Sequence, residues 1–237
     1  MKNERSYSRY SFRGDVARVY DRFNTLASIG ADRGWRRRTA KIMAADLEPL
    51  TSHPFILDLA CGTMDMGLAV ARALPESIVI GTDAEREMTR FGKAKLPDGN
   101  GRIHILTAAG RLPFRDRTFA AISCAFGLRN FVDLPGALAE MTRSLVPGGR
   151  IYVLEFFRPP NRISRLFLHL LRKIVFPVLG LILTGNRHPY NYLADSIFSF
   201  LSIEELEGVL KEMGLIPSIR CRFCLGLVQL TVACKPR

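Results

Sequence analysis

The stretch Ile56-Leu57-Asp58-Leu59-Ala60-Cys61-Gly62-Thr63-Met64-Asp65 decides the fold. An apolar run that ends in small residues and opens directly into a helical pattern reads as strand, tight loop and helix, with backbone N–H groups gathered at the carboxyl edge of a sheet. Open α/β sheets bind their ligands at that edge. A second apolar run ends at Gly81-Thr82-Asp83, 25 residues after Asp58. An acid at that place accepts hydrogen bonds from both hydroxyls of a ribose, so Asp83 is the best single candidate for a cofactor contact. The same pattern suits a nicotinamide dinucleotide or a plain strand-to-helix turn, so these residues alone leave the ligand open.

Working outward, apolar runs and helical patterns alternate. Phe55 to Ala60, Ile78 to Gly81, Ile103 to Leu106, Phe119 to Cys124 and Arg150 to Phe156 read as strands. Helices are expected near Gly67 to Leu74, Glu85 to Lys95 and Leu134 to Leu145, with a turn at Pro147-Gly148-Gly149 before the fifth strand. Strand, helix, strand, helix is the signature of a parallel sheet with crossovers. After a long insertion come a helix at Ile203 to Met213 and two runs, Ile216 to Cys224 and Leu227 to Ala233, with no helix between them. Those two runs are expected to pair as an antiparallel hairpin at the sheet edge. Ahead of the first strand, Val19, Phe23 and Leu26 share one helical face, a break falls near Ser28 to Gly30, and a second helix carries Trp35, Ile42 and Leu47.

A length of 237 residues, 48% hydrophobic and 24% charged, fits one large globular domain. Within residues 1–237, positions 1–50 read as an N-terminal arm and helices, and 157–200 as a helical insertion. Met1 to Arg13 is polar and basic without an apolar core, so it reads as an arm and not as a secretory signal. The net charge of +12 implies attraction to something anionic: nucleic acid, an acidic cofactor or a membrane face. Five scattered cysteines suit free thiols in a reducing cytoplasm. Cys221 and Cys224 form a CxxC within a strand-like run, with no second Cys or His pair to complete a zinc site. No metal is expected.

Further elements narrow the class. Leu112-Pro113-Phe114 precedes the fourth strand and Phe126-Gly127-Leu128-Arg129-Asn130 follows it. Leu145-Val146-Pro147-Gly148-Gly149-Arg150 leads into the fifth strand, which ends in Leu154-Glu155-Phe156. With Tyr20-Asp21-Arg22-Phe23-Asn24, Asp32-Arg33-Gly34-Trp35-Arg36 and Tyr190-Asn191-Tyr192-Leu193-Ala194-Asp195-Ser196-Ile197, the chain closely resembles the UbiE family of ubiquinone and menaquinone biosynthesis C-methyltransferases over nearly its whole length. The Leu-x-Pro-Gly-Gly element is common to many class I methyltransferases, whereas the Phe-Gly-Leu-Arg-Asn and Tyr-Leu-Ala-Asp-Ser-Ile elements are far more family-specific.

The resemblance implies an α/β, Rossmann-like class I methyltransferase with a seven-stranded, mostly parallel sheet. It implies S-adenosyl-L-methionine as cofactor, in the loop from Asp58 to Asp65, and C-methylation of a prenylated quinol ring. By that analogy Asp58, Ala60, Gly62, Thr63, Asp83, Ala108, Ala109 and Ala125 surround the cofactor. The family usually has glycine where this chain has Met64, and a polar residue where it has Ala108. Met64 is therefore expected to crowd the cofactor's methionine moiety, which keeps open a weakened relative that serves as a quinone-binding or partner subunit.

Methyl transfer to carbon needs an electron-rich ring carbon aligned with the S–CH3 bond, and no water. Arg129 is the candidate for stabilising the ionised ring hydroxyl, since a guanidinium seldom gives up its proton. Asn130 would orient the ring, with Tyr190, Tyr192 and Asp195 lining the pocket from the insertion. His169 and His188 are the imidazoles nearest to hand, His169 in a basic helical pattern and His188 in a loop before Pro189, and neither is the first choice as base.

From Arg162 to Leu183 the residues Ile163, Leu166, Phe167, Leu170, Leu171 and Ile174 fall on one helical face, opposite Arg162, Arg165, His169, Arg172 and Lys173. The charges and Pro177 argue against a span and for a helix in the membrane interface or over the pocket, beside the reading as an ordinary core helix. The expected partners are a lipophilic quinol and an anionic membrane surface, touched peripherally from the cytoplasmic side. Nucleic acid is not expected, and an oligomer, with itself or a partner, is left open. A methyltransferase for another small lipophilic substrate is the remaining alternative, and a nicotinamide oxidoreductase is a distant one.

Overall fold

Alternation along the strands sends Ile56 to one face of the sheet and Leu57 to the other, and both are fully buried, so helices must cover both faces. The computed structural model describes residues 14–49, 51–97, 101–107, 111–184 and 191–237. The expected arm at Met1 to Arg13, and Ala108, Ala109, His188 and Tyr190, lie outside the described residues.

The strands are β1 (Phe55–Leu59), β2 (Ile78–Asp83), β3 (Ile103–Thr107), β4 (Phe119–Ala125), β5 (Leu145–Phe156), β6 (Ile216–Phe223) and β7 (Val228–Cys234). They form one seven-stranded sheet in the order β3-β2-β1-β4-β5-β7-β6. The first five run parallel, and β7 is antiparallel to both β5 and β6. The terminal hairpin thus inserts its second strand beside β5 and leaves β6 at the edge. The Pro147-Gly148-Gly149 turn lies inside β5 instead of ahead of it. Gly148 adopts φ +77°, and the pairing with β4 shifts register between Phe119 and Ala121, which absorbs the turn as a bulge.

The helices are α1 (Gly14–Ala27), α2 (Ala31–Leu47), α3 (Asp65–Ala73), α4 (Arg86–Lys93), α5 (Leu134–Ser144), α6 (Arg162–Leu170), α7 (Phe176–Thr184), α8 (Asn191–Ser199) and α9 (Ile203–Glu212). Ala40, Met43 and Leu47 of α2 and Met66 and Val70 of α3 meet Ile56, Val79 and Tyr152 on one face of the sheet. Leu138 and Met141 of α5 and Leu206 and Leu210 of α9 meet Leu57, Ile122 and Val153 on the other. A third cluster joins Phe23 of α1 to Phe176 of α7 and Ile197 of α8. Leu26, expected on the inner face of α1, is half exposed because the chain turns at Ile29 and Gly30, both with positive φ.

Met64 does not crowd the loop's open side. Its backbone takes φ +70°, a left-handed conformation in which an ordinary side chain is strained by about 1 kcal/mol. The side chain is fully buried beneath the loop. A Cβ at Gly67 of α3 would fall 2.2 Å from its methyl carbon, and a Cβ at Gly81 of β2 would fall 2.5 Å from its sulfur. The thioether is threaded between two glycines and packs as core. Met64→Gly is therefore expected to lower stability by about 1–3 kcal/mol, the loss of a buried Met outweighing the relief of strain. Urea denaturation checks this, and a more stable variant would contradict the packing role.

Candidate active site

The site is built where the loops after β1, β2 and β4 converge. Asp58, near the end of β1, is buried; its Oδ1 accepts from the Ser123 hydroxyl of β4 at 2.9 Å and its Oδ2 from the N–H of Gly67 in α3 at 2.8 Å. Burial pushes its carboxyl up to about 7, against the pull of those two hydrogen bonds. Asp83, at the tip of β2, accepts from the N–H of Gly62 at 2.8 Å through Oδ2 and from that of Glu85 at 2.9 Å through Oδ1. Burial raises its pKa as well. The N–H of Ala84 is a third backbone partner, and a carboxylate accepts about four hydrogen bonds, so Asp83 keeps capacity for a hydroxyl donor. Ala60 has φ +54°, and a Cβ added to Gly127 would fall 2.5 Å from its Cβ, so the loops after β1 and β4 touch there.

Helix α1 closes over this loop. The Thr63 hydroxyl donates to Asp21 Oδ1 at 2.5 Å and accepts from Lys95 Nζ at 2.9 Å. Lys95 is also paired with Asp21 at 2.5 Å and with Asp65 at 2.7 Å. The Thr63 side chain is thus committed to a strap between α1, the loop and the chain after α4. One residue before Asp21, burial raises the pKa of Tyr20, while the charges of Arg129 and Arg36 and a hydrogen bond with Asn24 lower it.

Arg129 lies in a 3-10 turn, Leu128–Asn130, at the carboxyl end of β4. Its Nη1 pairs with buried Glu155 of β5 at 2.5 Å and donates to the carbonyl of Phe126 at 2.9 Å. Its Nε donates to Ser196 of α8 at 3.3 Å, and the guanidinium stands over the Phe156 ring at 5.7 Å. Phe126, Phe156 and Phe223 gather around Trp35, and Arg36 covers Phe126 at 5.0 Å. The Oδ1 of Asn130 is buried without a hydrogen-bond partner among the described residues. The wall therefore offers aromatic rings and a fixed cation, with an unpartnered acceptor on the residue next to that cation.

The fold brings Ala60, Gly62, Thr63, Asp83, Ala125, Arg129 and Asn130 to one edge of the sheet. Asp58 lies just beneath them as a brace. Asp195 of α8 is exposed and paired with Arg172 at 2.9 Å, while Ser196 beside it turns to Arg129. Tyr192 lies in α8, and its side chain is outside the described part. Sequence reasoning gave no role to Tyr20, Asp21, Lys95 or Glu155. The partners of Asp21, Thr63 and Lys95, are 42 and 74 residues away in the chain, beyond the reach of spacing.

Five parallel strands, an inserted antiparallel β7 and a carboxylate at the tip of β2 define a class I methyltransferase. The fold aligns with that of the plantazolicin methyltransferase BpumL at a TM-score of 0.66 and 12% identity, covering 94% of this chain and 95% of that one. The ubiE/COQ5 methyltransferase family matches residues 3–235, and the chain belongs to it. It is 38% identical over 201 residues to a demethylmenaquinone methyltransferase of Thermus thermophilus, covering 84% of this chain and 89% of the relative. It is 36% identical over 217 residues to the ubiquinone/menaquinone biosynthesis C-methyltransferase UbiE of Geobacter sulfurreducens, covering 90% of this chain and 81% of that one. The protein is an S-adenosylmethionine-dependent methyltransferase.

The high pKa of Asp58 has a consequence for stability. Its carboxyl titrates near 3.9 when unfolded and at about 7 when folded, so between those values the folded chain holds the extra proton. Stability from this group therefore falls as pH rises from about 4 to about 7 and is level above that. Urea unfolding at pH 5 and pH 8 should show a larger loss for the parent chain than for Asp58→Asn; equal losses would contradict the burial of a titrating carboxyl.

Proposed function

We propose that this methyltransferase acts on a carbon of a prenylated quinol ring, working from the cytoplasm at the inner face of the membrane. The observation that carries this reading is the Arg129 guanidinium, fixed by Glu155 over the Phe156 ring in a site walled by Phe126, Phe156 and Trp35, with the buried, unpartnered Oδ1 of Asn130 on the next residue. An aromatic ring bearing hydroxyls meets each of these needs: the faces stack, one hydroxyl donates to Asn130, and an ionised one is stabilised by the guanidinium. The names of the relatives, demethylmenaquinone methyltransferase and UbiE, support the same substrate class.

S-adenosylmethionine supplies an electrophilic methyl group on a sulfonium. Asp83 and the backbone at Ala60 and Gly62 would hold its nucleoside, with Thr63 acting through its loop and Ala125 beneath. Met64 packs in the core, so these groups remain disposed to do so. Glu155 fixes the Arg129 guanidinium, which favours the ionised ring hydroxyl and so raises electron density on the neighbouring carbon. Helix α1, strapped down by Lys95, helps exclude water. Asp195 would act at a distance, by holding Arg172 against α8.

Turnover of a demethylated quinol with labelled S-adenosylmethionine tests the assignment. Arg129→Gln is expected to lower kcat by about a hundredfold or more with cofactor affinity unchanged. Removing one partner of this buried pair costs about 3–5 kcal/mol, so Arg129→Gln combined with Glu155→Gln controls for folding. Turnover retained by a folded Arg129→Gln variant would remove the guanidinium from the mechanism.

A further inference from the structure

Helices α6 and α7 are joined by a π-helical turn, Leu171–Val175, into one rod from Arg162 to Thr184. An amphipathic helix normally turns its apolar face inward, yet here Ser164, Leu168 and Phe176 face the protein. The stripe Ile163, Leu166, Leu170 and Ile174, continued by Leu181 and Ile182, faces out. Leu166 is 71% exposed, Ile163 69% and Ile182 70%. Exposed apolar residues at helical spacing mark a surface that something else covers.

We infer that this stripe is a docking face for an anionic lipid bilayer, on which the rod lies flat. The inference rests on the substrate reading above only for its biological purpose; the surface stands on its own residues. No acidic residue occurs between Arg162 and Thr184, while Arg162 and Lys173, about a quarter-turn round the rod, edge the stripe with no ion pair among the described residues. Such a face complements phosphate headgroups beside acyl chains. A second copy of the chain fits less well, because a contact between two such rods would gather the cations of both with no acidic residue on either rod to pair them.

The rod is long and apolar enough to cross a bilayer by length and composition. Arg172 and Lys173 nevertheless fall about 15 Å from its start, at mid-bilayer depth, where charge is strongly disfavoured. Arg172 is held by Asp195 of α8 instead. On its inner side the rod packs on α1 through Phe176 and Phe23, whose ring centroids are 6.0 Å apart. Tyr20 and Asp21 are on that same helix, so the docked rod lies one helix from the candidate active site.

The test is sedimentation of the whole chain with vesicles of phosphatidylcholine, with and without phosphatidylglycerol. Partition into the anionic vesicles should exceed that into neutral ones by about tenfold or more and weaken with salt. Leu166→Gln with Leu170→Gln should lower it severalfold, and Arg162→Gln with Lys173→Gln should erase the preference for anionic lipid. All four positions are exposed, so neither pair disturbs the core. Binding unchanged in both pairs, resistance to alkaline carbonate extraction, or a dimer broken by the leucine pair without vesicle binding would each overturn the inference. Turnover of a short-tailed, water-soluble quinol without vesicles is read in parallel. Intact turnover with lost vesicle binding in the variants supports the docking face. Vesicle binding without turnover in the parent chain also supports it, and contradicts only the substrate reading.

Discussion

The carboxylate of Asp58 joins three elements that must meet for the ligand edge of the sheet to exist. It belongs to β1, accepts the Ser123 hydroxyl from β4, and accepts the first-turn N–H of Gly67 in α3. An acid at a helix N-terminus is favoured by the helix dipole, yet full burial holds its pKa at about 7, so the brace is bought against a desolvation cost. With β1 and α3 fixed at this point, the loop between them has one path. Its backbone then presents Gly62 to Asp83 and turns Met64 down into the core.

The second constraint comes from outside the sheet. Lys95 gathers Asp21, Asp65 and Thr63, and so pins α1 across the loop. That places Tyr20 within the field of Arg129 and Arg36, and α1 in turn carries α7 on Phe23. Cofactor loop, aromatic wall and exposed rod are therefore linked through one helix. On the other side, Glu155 and Ser196 set the angle of the Arg129 guanidinium from β5 and α8.

Much of this was legible in the chain. The parallel strands with helical crossovers followed from alternation, the terminal hairpin from two runs without a helix between them, and the place of Asp83 from its distance beyond Asp58, because these features are local or periodic. Met64 was not legible: sequence records the side chain in a glycine-type loop, but a left-handed φ drops it beneath the backbone, into space left by Gly67 and Gly81. The Lys95 strap joins residues far apart in sequence and carries no spacing signal. The rod's apolar face was legible as a face, but periodicity cannot say whether the protein itself covers it, and it does not. Asp195 and Ser196 are neighbours that a helix turns to different partners, so a motif reading alone could not choose between them.

The edge formed by Asp83 and Gly62 is expected to take an adenosine cofactor with Met64 packed beneath the loop. Calorimetric titration of the purified chain with S-adenosylmethionine, beside an Asp83→Ala variant, tests it most directly. The parent chain is expected to bind in the micromolar range and the variant to lose binding. No binding by the parent chain, or equal binding by both, would contradict it.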